Sequence, residues 1–186
     1  MRRPSSRRRR RFVLAVAAAF AWLAAAALAT GCSGADSADE ASEKPHAPPF
    51  DHPDLDGNPV RMADLLGRTV VIDFWATWCA PCIFQPAELN RVFETHRAAG
   101  DVVVLGVEVS DASADEIRAW GEENDAVAAY PILRGASEEL ARAFGVTGFP
   151  ALVVVDPEGR IDSVHLGLSD AAEVEAAIEA AQRVGS

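Results

Sequence analysis

The chain has 186 residues, with 17 Lys and Arg against 28 Asp and Glu, and a formal net charge of −11. The charge is segregated: seven arginines precede Phe12, and from Cys32 onward 10 basic residues face 28 acidic ones, a balance of −18. That excludes nucleic acid as a partner, since phosphate binding needs clustered Lys and Arg, and argues against a domain held to anionic lipid heads.

Residues 1–31 read as an export signal. A basic head leads into an uncharged run from Phe12 to Ala29, and Thr30-Gly31-Cys32 follows. Small residues directly before a cysteine resemble the bacterial lipobox, in which the cysteine is lipid-modified and becomes the new N-terminus. Gly31 and Thr30 fit, whereas Ala29 stands where a larger aliphatic residue is usual. Cys32 is thus the candidate lipidation site, and it accounts for the odd one of three cysteines. The alternative is an uncleaved anchor, since the apolar run is nearly long enough to span a bilayer. Either reading places the rest of the chain outside the cytoplasm. Arg9-Arg10-Arg11-Phe12-Val13 also fits a twin-arginine signal loosely. Residues 32–49, poor in large apolar side chains and ending in Pro45, Pro48 and Pro49, read as a disordered tether. Residues 50–184 read as one domain with a sizeable core.

Asp54 to Val60 forms a tight turn between short strands, and Met62 to Leu66 a helical turn stopped by Gly67. Thr69 to Trp75 is a β-branched, aromatic run with the character of a strand buried on both faces. It leads through Ala76-Thr77-Trp78 to Cys79-Ala80-Pro81-Cys82. The residues after Cys82 read as a helix whose apolar face carries Leu89, Val92, Phe93 and His96. The two cysteines therefore sit where a strand hands over to a helix N-terminus, where unpaired N–H groups and the helix dipole favour a thiolate. Val102 to Val109 is a second buried strand. Ser113 to Asn124 is a helix with Ser113 and Glu116 as a capping box. Ala129 to Leu133 is short and extended, and Ser137 to Phe144 is a helix closed by Gly145. Ala151 to Val155 and Arg160 to His165 are strands around the turn Asp156-Pro157-Glu158-Gly159. Asp170 to Val184 is a terminal helix.

Three features resemble the thioredoxin fold, and more narrowly the membrane-tethered thiol-disulfide oxidoreductases of the TlpA/ResA type. They are Asp73-Phe74-Trp75-Ala76-Thr77-Trp78-Cys79-Ala80-Pro81-Cys82, then Phe144-Gly145-Val146-Thr147-Gly148-Phe149-Pro150, then the inserted strand-helix unit Val102 to Asn124 followed by Tyr130-Pro131. The resemblance covers about residues 50–184. It implies an α/β fold with a central mixed sheet flanked by helices, an N-terminal β-hairpin and an inserted strand-helix unit.

Cys79, nearer the helix start, is expected to be exposed, low in pKa and the nucleophile that forms a mixed disulfide; Cys82 resolves it. Asp73 is costly in an apolar strand unless used or partnered. A structural, ion-paired Asp is the bland reading. The likeness to thioredoxin implies a buried carboxyl of raised pKa that exchanges protons with Cys82. Relatives of the TlpA/ResA type often carry Asn there, so here the chain follows thioredoxin. Pro150 is expected to be cis, with Phe149 and Trp78 lining a groove for an extended substrate segment. Of Trp75 and Trp78, one is expected to pack and one to shield the disulfide.

There are departures from the pattern. Ile83 replaces a basic residue, Ala80 replaces a proline or acidic residue, and Pro86 lies one residue nearer Cys79 than usual. Ala76 stands where a peroxiredoxin has Thr, three before the cysteine. The expected activity is reduction of disulfides in exported proteins, such as in cytochrome c maturation. Protein disulfides are the substrates, a membrane thiol-disulfide donor supplies electrons, and neither metal nor cofactor is called for. The alternatives are an oxidase or isomerase of the same fold, or a copper-handling module using the two cysteines as ligands.

Overall fold

In the computed structural model, which describes residues 44–184, the chain begins with β1 (Asp51–Pro53) and β2 (Pro59–Arg61), an antiparallel pair. Asp54 closes their turn. Its Oδ1 accepts from the Asp56 and Asn58 backbone N–H groups at 2.9 and 2.8 Å, and Gly57 takes the φ of +87° that the turn requires. The export signal, Cys32 and the tether up to residue 43 lie outside the described residues. Among the described residues no helix is long and apolar enough to cross a membrane.

A short 3-10 turn, Met62–Leu65, buries Met62 and Leu65 and delivers the chain to β3 (Thr69–Trp75). Every residue of β3 is buried, because it has a strand on each side and helices on both faces. β4 (Val102–Glu108) runs parallel to it, and the pairing sets Asp73 opposite Gly106. The remaining strands are β5 (Ile132–Leu133), β6 (Ala151–Val155) and β7 (Ile161–Leu166). The sheet order is β5-β4-β3-β6-β7, with β6 antiparallel to both neighbours. The helices are α1 (Gln85–His96), α2 (Ala114–Glu123), α3 (Glu138–Ala143) and α4 (Ala171–Val184). This is the thioredoxin fold, a central mixed sheet flanked by helices with a two-stranded hairpin before it.

The strand period of two divides β3 between two cores. Val71 packs with Leu89 and Val92 of α1, Val104, Leu152, and Val174 and Ile178 of α4. Ile72 and Phe74 belong to the larger cluster with Leu105, Ile117, Ala141 and Phe144. Phe144 anchors that side, its ring 5.3 Å from Phe74 and 6.3 Å from Phe50. The capping box on α2 is present as the sequence reads, Ser113 Oγ accepting from Glu116 N–H and Glu116 accepting from Ser113 N–H.

Two differences from the sequence reading concern chain boundaries. The packed region begins at Lys44, six residues before the expected domain start at residue 50. Ala47 N–H donates to Gly159 O and Ile161 N–H to Pro45 O, both at 2.8 Å, and Lys44 pairs with Asp162. Composition marked this stretch as tether because prolines replace the usual apolar residues; what holds it is backbone bonding along β7, to which composition is blind.

The second difference lies after Cys82. A 3-10 turn, Ala80–Phe84, precedes α1, so the α-helix proper starts at Gln85. Pro86 explains it. Proline has no N–H to offer the Cys82 carbonyl four residues back, and its ring would collide with that carbonyl. Gln85 N–H takes the Cys82 oxygen instead, in the tighter 3-10 pattern.

Candidate active site

The C-terminal end of β3 and the 3-10 turn bring two cysteines together without help from distant elements. Cys79 N–H donates to Ala76 O at 3.0 Å and Cys82 N–H to Cys79 O at 3.1 Å, two consecutive turns that wind the loop. Cys79 and Cys82 are joined as a disulfide, S–S 2.04 Å, with their Cα atoms 5.4 Å apart. Cys79 lies deeper than the sequence reading expects, at 4% exposed, and Cys82 is 2% exposed. In the disulfide the Cys79 sulfur is turned onto Cys82 rather than outward, and both residues pack with the larger core cluster.

The exposed residue next to Cys79 in the chain is aromatic. Trp78 is 62% exposed, and its ring meets the half-buried Phe149 edge-on at 5.7 Å. The Phe149–Pro150 peptide bond is cis, as expected. Pro150 is buried and its carbonyl accepts from Gly167 N–H at 2.8 Å. The two tryptophans divide their roles. Trp75 is buried against Trp120 of α2 with ring centres 4.5 Å apart, while Trp78 stays at the surface. Phe84 and Leu168 are also large, apolar and exposed, and the sequence reading did not single them out.

Asp73 is buried in β3. Among the described residues its Oδ1 has no hydrogen-bond partner, and its Oδ2 accepts only from the Tyr130 hydroxyl, at a long 3.5 Å. Burial without a cation pushes its pKa up to about 7, and the weak Tyr130 bond pulls only slightly the other way. A carboxyl in that state can take a proton or give one near neutral pH. Tyr130, itself held up by burial and by the Asp73 charge, is thus part of the site. In the sequence it is legible only as a lone Tyr before Pro131.

Two more buried polar residues escape sequence reasoning. Glu108, at the end of β4, is fully buried and its carboxylate collects the Thr77, Ser110 and Ala112 backbone N–H groups at 3.4, 2.9 and 3.2 Å, as well as the Ser110 hydroxyl. It ties the loop before Cys79 to the loop after β4. Gln85 makes a reciprocal pair with Ser169, Nε2 donating to its carbonyl at 2.9 Å and Oε1 accepting from its N–H at 3.0 Å. That pair fixes the start of α1 against the approach to α4. A charge ending an apolar run is the signal that could have flagged Glu108; nothing local marks Gln85. Among the described residues no group of three or more His, Cys, Asp or Glu gathers as a metal-holding cluster.

A thioredoxin fold that carries a Cys-x-x-Cys disulfide after its central strand, with a buried carboxyl in that strand, defines a thiol-disulfide oxidoreductase. The chain belongs to the AhpC/TSA family, whose model matches residues 44–164. Among curated proteins it is similar to the thiol-disulfide oxidoreductase ResA of Geobacillus thermodenitrificans, 27% identical over 121 residues, which are 65% of this chain and 67% of that one. Among solved structures it is similar to a thiol:disulfide interchange protein of the thioredoxin family from Chlorobium tepidum. That likeness has a TM-score of 0.63 at 27% identity and covers 75% of this chain and 97% of the other. It is also similar to the exposed lipoprotein thioredoxin Etrx1 of Streptococcus pneumoniae, with a TM-score of 0.58 at 28% identity, covering 71% and 98% of the two chains.

Proposed function

We propose that this protein is an extracytoplasmic, lipid-tethered reductant of disulfides in exported proteins. The observation that carries the reading is a Cys79–Cys82 pair one turn apart at the end of β3, on whose apolar length sits an otherwise unneutralised Asp73. In the reduced protein the Cys79 thiolate attacks a client disulfide, forming a mixed disulfide and releasing one client thiolate, which takes a proton from solvent. Cys82 passes its proton to Asp73 and attacks the Cys79 sulfur. The mixed bond breaks, the second client sulfur leaves and is protonated, and the Cys79–Cys82 disulfide forms. Two electrons have moved from the protein to the client. A membrane dithiol donor restores the reduced pair.

Trp78 and Phe149 form the apolar surface on which an extended client segment would lie, and the buried cis Pro150 fixes the Phe149 backbone for it. Clients with exposed cysteine pairs, such as apocytochrome c or a copper-site protein, fit that chemistry. The basic head, apolar run and Thr30-Gly31-Cys32 support export of residues 32–186 and lipid attachment at Cys32, and the likeness to an exposed lipoprotein supports the same placement.

A redox titration of the purified protein tests the direction. A potential well below that of glutathione is expected; one well above it would make the protein an oxidase or isomerase instead. Tight, stoichiometric copper or zinc binding without reduction of insulin disulfides would replace the enzyme by a metal-handling module. For the proton step, Asp73→Asn slows disulfide reduction at neutral pH; unchanged kinetics would remove Asp73 from the mechanism.

A further inference from the structure

Asp73 lies opposite a glycine. The β3–β4 register pairs it with Gly106, and the β4–β5 register pairs Gly106 with Ile132. A side chain at Gly106 would crowd Ile132 and Trp75 and bear on Tyr130: an added Cβ would stand 3.2 Å from Ile132 Cγ1, 3.3 Å from Trp75 Nε1 and 3.4 Å from Tyr130 Cε2. The same glycine pins the segment that carries Tyr130, its N–H donating to Pro131 O at 2.9 Å. The missing side chain thus makes room for the Tyr130 ring, and the backbone bond holds the ring's chain segment beside it.

Tyr130 also lines a cavity of about 580 Å³ together with Trp75, Phe93, Trp120 and Ile132. Asp73 does not line it. Tyr130 is therefore in contact with both the buried carboxyl and the cavity.

We infer that Tyr130 is a positioning residue which governs the proton on Asp73 in two opposed ways: its hydroxyl donates to the carboxylate, and its ring keeps cavity water away from it. This deepens the proposed function, resting on the reading that Asp73 handles the Cys82 proton. A hydrogen bond to the charged form favours that form, whereas exclusion of water disfavours it. Removing the hydroxyl and removing the ring should accordingly move Asp73 in opposite directions.

Charged groups also line the cavity beside Tyr130: Arg118 of α2 donates to Asp56 at 2.8 Å, Asp54 is bonded by Asn58, and Glu122 of α2 stands exposed on the same wall. The titratable groups on the other packed elements are engaged. Leu152, across from Asp73 on β6, carries no charge. On α1, Glu88 is bonded by Arg91 and by the Ala171 N–H, and His96 bonds Glu175 of α4. On β4, Glu108 is taken up by Thr77, Ser110 and Ala112, and on β7, His165 bonds Ser163. Cys82 is in the disulfide in the oxidised protein.

The test uses the oxidised full chain and titrates the infrared C=O band of the protonated Asp73 carboxyl, assigned by its loss in Asp73→Asn. Tyr130→Phe keeps the ring and should raise the midpoint by up to roughly half a pH unit, the size of one long, weak hydrogen bond. Tyr130→Ala opens the carboxyl to cavity water and should lower it. An unmoved midpoint in Tyr130→Phe, or a raised one in a folded Tyr130→Ala, overturns the inference. The band reports the Tyr130–Asp73 link without turnover. A failed kinetic effect of Asp73→Asn would thus sink the proposed function while leaving this measurement to stand or fall by itself.

Discussion

Asp73 makes the fold itself sensitive to pH, and the sign follows from its burial. Its ordinary value is 3.8, and in the folded chain it rises to about 7. Below pH 3.8 both folded and unfolded chains hold the proton, and the residue has no pH-dependent effect. Between 3.8 and 7 the unfolded chain gives up the proton and the folded chain keeps it, so stability falls as pH rises. Above 7 the penalty is complete, and the gap corresponds to about 4 kcal/mol. Asp73→Asn cannot ionise but still offers Tyr130 an acceptor. Whatever fixed cost its amide carries, the stability of the variant relative to the natural protein should improve by about 4 kcal/mol between pH 4 and pH 8. Urea unfolding of both oxidised proteins across that range measures it. A stability difference that stays constant with pH, or that narrows toward pH 8, would refute the assignment of a burial-raised carboxyl.

Three other perturbations probe the scaffold around the site. Phe144→Ala removes a fully buried ring between Phe74 and Phe50 and should cost about 3–5 kcal/mol in denaturant unfolding; a loss under about 1 kcal/mol would mean the ring is not an anchor. Glu108→Gln replaces one acceptor oxygen with an NH2 donor facing backbone N–H groups that need an acceptor, and should cost about 1–3 kcal/mol while loosening the Thr77 loop. Equal stability and equal reaction rate would show the carboxylate is dispensable. Trp78→Ala should leave stability within about 0.5 kcal/mol, since the ring is largely in solvent, yet slow reduction of a peptide disulfide flanked by apolar residues. Loss of stability without loss of rate would reverse that division.

The order of strands and helices, the buried central strand and the cysteine pair were legible in the sequence, because each rests on local chemistry. An unbroken β-branched run has few ways to be satisfied other than inside a sheet, and Ser113 with Glu116 writes a helix start in four residues. Asp73 stood out for the same reason, as one charge in an apolar run. What was not legible depends on residues far apart in the chain. Tyr130 lies 57 positions from Asp73, and Gln85 lies 84 from Ser169. No local pattern encodes either pairing. Only the folded sheet, with Gly106 leaving room beside β3, decides that the partner of the buried carboxyl is a phenol rather than a cation. Pro86 shows the boundary between the two kinds of knowledge. Its missing N–H is written in the sequence, but that the lost bond falls on the Cys82 carbonyl, and so turns the redox loop into a 3-10 turn, emerges from backbone geometry. Sequence alone determined which groups could react; tertiary packing decided how deeply they lie and what touches them, because burial and distance are properties of the whole chain.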